Sequence, residues 1–301
     1  MDASIKHILI AGGSGFLGQE LSKFFKKKNI IVKTLSRHPN CETDVYWDAK
    51  TIGPWTKEID WADIIINLTG KSVDCRYTQK NKDLILSSRL NSTLVLCKAI
   101  SQSKTPPILW INSSSASTYI HSETQQMTED EGIIGDDFSM NVCKKWEAAF
   151  FNCNLNYTRR VATRTSIVLG KSGGAYPIFK RLTRFLMGGK QGNGKQYISW
   201  IHINDFCLAY QFIIDHPGLV GAVNVTSPKP IRNNEFMKLL RKKHKIPFGI
   251  PQAKWLLELG AKLIGTETEM VLKSRNVVPE RLLEAGFNFE NDDINTALKN
   301  L

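Results

Sequence analysis

Short apolar runs alternate with amphipathic stretches along the first two-thirds of the chain, and this rhythm predicts the architecture. Ile8–Ala11 reads as a buried strand, after which Leu17, Leu21, Phe24 and Phe25 recur at helical spacing with lysines on the opposite face. Further strands are expected at Ile30–Leu35, Val45–Trp47, Ile64–Leu68, Ile108–Asn112 and Arg160–Leu169. Two helices lie between the later ones: a long helix with Leu86, Leu90, Leu94 and Cys97 on one stripe, and a second over Ser139–Phe151. Strands alternating with helices through right-handed crossovers give a doubly wound parallel sheet, an α/β Rossmann-like fold. Beyond this the pattern loosens. Glycine-rich GKSGG and GGKQGNGKQ read as loops, YISWIHI as a strand, and the stretch from Asn204 as a helix. GAVNVTSPKPIRNNEF reads as strand, turn and helix, and from Pro251 the chain is mainly helical. The expected organisation is a Rossmann-like domain over 1–168, completed by about 198–226, with a smaller, mainly helical domain over 169–301.

Composition narrows the class without changing it. The chain has 301 residues, 42% of them hydrophobic, as a globular protein requires. Its apolar runs are strand-sized, whereas a membrane span needs roughly 20 apolar residues, so no membrane association is expected. The opening MDASIKHILIAGG carries no signal-peptide pattern, and six scattered cysteines without a C-x-x-C pair suit a reducing compartment. A cytoplasmic protein without a metal site is the expectation. The net charge of +12 comes partly from Lys23, Lys26, Lys27 and Lys28 and from Arg241–Lys245. No aromatic residues interleave these clusters to stack bases, so they read as solvated helix faces and not as a nucleic-acid surface.

The chemistry begins at AGGSGFLG. Gly12, Gly15 and Gly18 stand at three-residue spacing between a strand and a helix. Such a turn lets the backbone approach a pyrophosphate, and the helix N-terminus offers N–H groups and partial positive charge to the anion. The second strand ends in TLSRHP, giving Ser36 and Arg37 and no nearby acid. An acid there would bind a ribose 2′-hydroxyl, whereas a guanidinium grips a 2′-phosphate, so NADP(H) is the expected cofactor.

With AGGSGFLG, INLTG, INSSSAS and SWIHIND, the chain resembles an extended short-chain dehydrogenase/reductase of the NAD-dependent epimerase/dehydratase family. DLILSSRLNST, CKKWE and NVVPERLLEAGFNF make it similar to the branch with an extra C-terminal domain of unknown function. The resemblance implies a nicotinamide cofactor lined by Gly12, Ser14, Gly15, Phe16, Leu17, Gly18, Ser36, Arg37, Leu68, Thr69, Gly70, Arg89 and Ser113. It also implies a Ser or Thr after the fifth strand, matched by Ser115, and a Tyr-x-x-x-Lys pair on the next helix. Glu147 fixes the register of that helix, and Ser139 and Cys143 then stand where Tyr and Lys belong. Taking the hydroxyl proton during hydride transfer needs a base, and a serine hydroxyl alone does not serve. Cys143, a thiol near cations such as Lys144, and Tyr119, four residues after Ser115, are the candidate replacements; the alternatives are a buried structural thiol for Cys143 and a structural or substrate-lining role for Tyr119. Trp200, His202 and Asn193 are expected on the substrate side, His202 with a structural role as its alternative; Glu129 and Glu131 read by default as solvated loop charges. Arg89 stands where the family has Asn; a cation there either suits an acidic or phosphorylated ligand or pairs with a carboxylate of the protein. Two functions follow. One is an NADP-dependent oxidoreductase or epimerase on a small polar, sugar-like or nucleotide-linked molecule. The other is a non-catalytic NADP(H) sensor or scaffold, a role the branch's link to cell division suggests. Either is compatible with a homodimer.

Overall fold

The computed structural model describes residues 5–265 and 267–301, so Met1–Ser4 of the expected first domain lie outside the described residues. The chain opens with β1 (His7–Ala11), α1 (Phe16–Lys26), β2 (Ile31–Ser36), β3 (Asp44–Tyr46), α2 (Lys57–Trp61) and β4 (Ile64–Asn67). It continues through α3 (Gln79–Ser101), β5 (Leu109–Ser115), α4 (Phe138–Phe151), β6 (Arg159–Thr165) and β7 (Ile167–Leu169). After α5 (Tyr176–Arg184) come β8 (Tyr197–Ile198), β9 (Trp200–His202), α6 (Ile203–Asp215) and β10 (Gly221–Val225). The remainder comprises β11 (Ile231–Arg232), α7 (Asn233–Lys243), α8 (Lys254–Ile264), α9 (Glu269–Leu272), α10 (Glu280–Glu284) and α11 (Ile294–Asn300).

Seven strands form one sheet in the order β10-β6-β5-β4-β1-β2-β3, all parallel. Strand alternation splits its apolar side chains between two layers. Ile8, Ile10, Ile64 and Ile66 face α1 and α6, where Leu21, Phe25, Phe206 and Tyr210 meet them. Leu9, Ala11, Ile65 and Trp110 face the other layer with Leu96 and Phe150 of α3 and α4. Covering both faces leaves the carboxyl ends of the strands as the crevice for a ligand.

Three expectations need correction. The expected Arg160–Leu169 strand breaks after Thr165, and β7 leaves the main sheet to pair with β9. The α3 stripe is also different: Leu94 is 52% exposed, while Ile85, Ser92, Thr93, Val95 and Leu96 are buried. Polar Ser92 and Thr93 occupy the inward face because hydrogen bonds satisfy them, Thr93 accepting from Trp146 Nε1 at 2.9 Å. The scatter of cysteines conceals one spatial pair, Cys97 and Cys153, which are joined across α3 and the end of α4 with Cα atoms 6.0 Å apart.

The chain after residue 168 packs on more than one body. Leu282 and Phe287 enter the core layer of the main sheet, whereas Ala297 and Leu298 of α11 join Phe236 and Leu240 of α7 in a separate core. Of the basic clusters, Lys23, Lys26, Lys27 and Lys28 are exposed at the end of α1. In the second, Arg241 donates to the Gly188 carbonyl and Lys243 to the Leu298 carbonyl. No described helix is long and apolar enough to cross a membrane.

Candidate functional site: a glycine-lined crevice at the strand ends

The turn after β1 distributes its glycines by need. Gly12 has φ +78°, open to glycine at little cost. A Cβ on Gly18 would lie 2.5 Å from Gly13 Cα, so this glycine lets α1 lie against the turn. A Cβ on Gly13, a position the glycine spacing does not mark, would strike Thr34 Cγ2 at 2.4 Å. Gly15 differs: its Cβ would meet only Gly12 O, at 3.6 Å. Nothing in the described fold requires glycine there, and no side chain caps α1 above it. The space beside Gly15 and the uncapped helix end together form an anion cradle. Ser14 and Leu17 flank it in sequence, and the Phe16 ring turns away to lie on Gly170 and Gly173, where a Cβ would approach it to 2.4 and 2.3 Å.

The ends of β2 and β4 border the same cradle. Ser36 is buried, its hydroxyl donating to His38 O and accepting from His38 N–H, both at 3.1 Å. Arg37 next to it is exposed. On the β4 side, Leu68 C and Thr69 N stand 3.1 Å from the Cβ position of Gly12. Thr69 Oγ1 is buried there without a hydrogen-bond partner among the described residues, which is uncommon for a buried polar atom. Gly70 lies against Arg89, whose Cζ would be 3.0 Å from a Cβ at that position. Arg89 donates to the carbonyls of Lys71 at 3.0 Å and Ile85 at 2.9 Å, and lies over the Trp146 ring.

At the end of β5, Ser113 and Ser115 are half-buried. Ser115 Oγ accepts the Ser117 N–H at 3.1 Å, leaving its own proton for a ligand. Ser114 between them donates to Glu147 at 2.6 Å. Glu147 in turn holds Arg164 by two bonds, at 2.9 and 2.8 Å. Arg164 also donates to the Tyr119 hydroxyl at 2.8 Å, which donates to Asn224 at 2.9 Å. Tyr119 is therefore fully buried with lone pair and proton both engaged, and burial pushes its pKa up. It is a structural pin and is badly placed to serve as a base.

The register of α4 carries the rest. Ser139, at the Tyr position, donates to Glu269 of α9. Cys143, at the Lys position, is buried, and desolvation first, then the Glu147 charge, pushes its thiol up to about 12. Thiolate formation near neutrality is disfavoured, so neither expected replacement has the properties of a general base.

The expected substrate-side residues disperse. Trp200 is fully buried with Nε1 donating to Lys229 O at 3.1 Å. His202 caps α6, Nδ1 accepting from Asn204 N–H at 3.2 Å; burial lowers its pKa, and its Nε2 is buried with no hydrogen-bond partner among the described residues. Asn193 is exposed, its side chain accepting from Lys195 N–H at 2.9 Å and donating to Glu123 at 3.3 Å. Glu131 is exposed, but Glu129 is not the solvated charge expected: it accepts from Asn224 N–H at 2.8 Å, and burial raises its pKa.

In their place stand residues the motif reading missed. Glu269, Lys273 and Arg275 come from the C-terminal segment and lie on the N-terminal half of α4. Lys273 bonds Glu269 at 2.9 Å and also Asp137, and Arg275 Nη2 lies 3.6 Å from Glu269. More than a hundred residues separate them from α4, so no local spacing signals them; the only hint is the alternation of charge in ETEMVLKSR. Among the described residues, no group of three His, Cys, Asp or Glu side chains is placed to hold a metal.

Residues 8–225 match the NAD dependent epimerase/dehydratase family, and residues 253–301 match DUF1731, a domain of unknown function. Epimerase family protein YfhF of Bacillus subtilis (strain 168) is 32% identical over 98% of this chain and 97% of its own. Among solved structures, human epimerase family protein SDR39U1 (isoform 2) with NADPH aligns with a TM-score of 0.87 and 29% identity, covering 98% of each chain. The nucleoside-diphosphate sugar epimerase of Corynebacterium glutamicum aligns with a TM-score of 0.81 and 26% identity, over 99% of this chain and 58% of that one. The glycine-lined cradle, the parallel sheet behind it and the C-terminal segment laid over α4 thus lie in a chain matched along its whole length, which belongs to the NAD dependent epimerase/dehydratase family and carries a C-terminal DUF1731 domain.

Proposed function

We propose that this chain binds NADP(H) across the carboxyl ends of β1, β4 and β5 and acts as an oxidoreductase or epimerase on a small polar molecule. The carrying observation is the cradle itself: open space beside Gly15 in the turn whose Gly12 adjoins Thr69, a residue whose hydroxyl has no partner among the described residues. The human relative, solved with NADPH, supports the same cofactor, as does the exposed Arg37 at an acid-free strand end. Arg37 would hold the 2′-phosphate through paired N–H bonds, and the first turn of α1 would hold the diphosphate. When bound, the nicotinamide supplies or accepts a hydride. Ser115, whose proton is unclaimed, would donate to the substrate oxygen and orient it. Without the Tyr-Lys pair, proton transfer through Ser115 would be slow, and low turnover is the expected kinetic signature.

The experiment is calorimetric titration of NADPH and NADH, followed by nicotinamide absorbance against a panel of carbonyl and alcohol compounds. Tight NADPH binding with slow turnover supports the reading; binding of neither nucleotide ends it. A second reading, a cofactor-loaded sensor or scaffold without turnover, is favoured by the locked Tyr119 hydroxyl and the high thiol pKa of Cys143. It predicts NADPH binding with no change in absorbance across the whole panel.

A further inference from the structure

Net charge and exposed apolar surface are unevenly distributed along this chain, and they coincide. Residues 176–190 and 238–262 hold eleven Lys and Arg side chains against one acid, Glu258, so these 40 residues account for +10 of the net charge of +12. The same two segments carry eight of the eighteen exposed large apolar side chains among the described residues, Phe185, Met187, Phe248, Ile250 and Trp255 included. Single exposed apolar residues need no explanation, but a concentration of them does.

Hydrogen bonds make the two segments one surface. Ile250 N–H donates to Leu186 O at 2.8 Å, Gln252 N–H to Lys190 O at 2.8 Å and Gln252 Nε2 to Met187 O at 2.7 Å. Arg241 donates to the Gly188 carbonyl, a bond that leaves its charge uncancelled. Two residues beyond Gln252 begins α8, whose apolar side chains are turned the wrong way for an ordinary surface helix. Its shielded positions are Leu257, Gly260 and Ala261. Trp255 is 66% exposed, and Leu259, one turn on, and Leu256 are exposed with it. Lys254 and Lys262 stand in solvent toward the two ends of the helix, the former 3.9 Å from Glu258.

An apolar helix face with a cationic rim suits a membrane interface, where Trp and Leu enter the acyl boundary and the cations reach anionic headgroups. A second copy of the chain would set the same positive surface against itself and be repelled. The expectation of no membrane association came from the length of the apolar runs, which bears on spanning a bilayer and not on lying at its surface. We propose that α8, with the loops at Phe185–Met187 and Phe248–Ile250, docks this protein on the surface of a membrane rich in anionic phospholipid. The docking surface shares no residue with the cradle of Gly12–Gly18, so it stands apart from cofactor binding.

The test floats the full chain with vesicles of phosphatidylcholine alone and of equal parts phosphatidylcholine and phosphatidylglycerol. It compares wild type with a leucine variant, Leu256→Glu/Leu259→Glu, and a charge variant, Arg184→Glu/Lys245→Glu. Wild type is expected to partition onto the mixed vesicles about tenfold or more better than onto phosphatidylcholine. Each variant is expected to lose about tenfold or more of its partition onto the mixed vesicles. Wild type failing to bind the mixed vesicles overturns the proposal, as does equal binding to both vesicle types or equal binding by wild type and either variant. Binding of duplex DNA, or sedimentation as a dimer, without partition onto vesicles assigns the surface to nucleic acid or to a second copy and overturns it as well. Should the leucine variant fail to fold, tryptophan emission of wild type and Trp255→Phe is compared on mixed vesicles with brominated acyl chains. Quenching that disappears in Trp255→Phe supports docking through α8; equal quenching in both, or none in wild type, overturns it.

Discussion

At the scale of single residues, the glycines of one turn separate folding from binding. An alanine at Gly18 drives its Cβ to 2.5 Å from main-chain atoms that cannot move aside. Gly18→Ala is expected to cost on the order of 1–3 kcal/mol of stability, read from chemical denaturation. An alanine at Gly15 meets no neighbour closer than 3.6 Å. Gly15→Ala is expected to melt like wild type and to lose NADPH binding at least tenfold by calorimetry, because its methyl fills the cradle. Arg37 gives the third contrast. Removing its guanidinium in Arg37→Ala should weaken NADPH at least tenfold and leave NADH within about twofold, since only one of them carries the 2′-phosphate. The same turn shows where residue-level reading stops. Spacing identified Gly12, Gly15 and Gly18 but passed over Gly13, whose need for glycine comes from Thr34 on a neighbouring strand.

At the scale of elements, α4 is held in register by two adjacent residues that reach in different directions. Trp146 bonds Thr93 of α3 at 2.9 Å, and Glu147 bonds Ser114 of β5 and Arg164 of β6. With side chains 10% and 13% exposed, the Arg164–Glu147 pair is nearly buried. Glu147→Ala would leave the Arg164 charge uncompensated and is expected to cost about 3–5 kcal/mol, measured by denaturant unfolding. A second buried carboxyl makes stability depend on pH. Desolvation raises the folded-state pKa of Glu129, so the folded protein keeps a proton that the unfolded chain has released. The associated stability is present below the ordinary Glu range of about 4.3 and is lost as pH rises through the raised value. Glu129→Gln keeps the acceptor for Asn224 N–H and removes this loss. Melting curves should show it gaining on wild type by a few degrees at about pH 7, and much less at about pH 4. The amphipathic helix α1 was legible because its inward face is apolar. The inward face of α3 was not, because Ser92 and Thr93 are buried for their hydrogen bonds and defeat a count of hydrophobic positions.

At the scale of the whole molecule, the C-terminal region packs on α4 and on the main sheet at once. Its residues 269–275 bring Glu269 and Arg275 to α4, and Leu282 and Phe287 enter the layer against the parallel strands. A ligand that binds only the folded state stabilises it by mass action, about 2.7 kcal/mol at a hundredfold excess over its dissociation constant. NADPH at that excess should raise the melting temperature by several degrees, and Gly15→Ala should cut the shift to about half or less. Legible in the chain before folding were the parallel α/β sheet, the phosphate turn, the acid-free end of β2 and the substitution of Ser139 and Cys143 for the usual pair. All of these are local patterns, set by side-chain periodicity, by backbone freedom at glycine or by register against Glu147 within one helix. Folding alone locks Tyr119, keeps the Cys143 thiol protonated and brings Glu269 to α4 from the far end of the chain. Those outcomes depend on burial and on partners up to 130 residues distant, as from Ser139 to Glu269, and a hydrogen bond or desolvation penalty exists only once folding has brought the groups together.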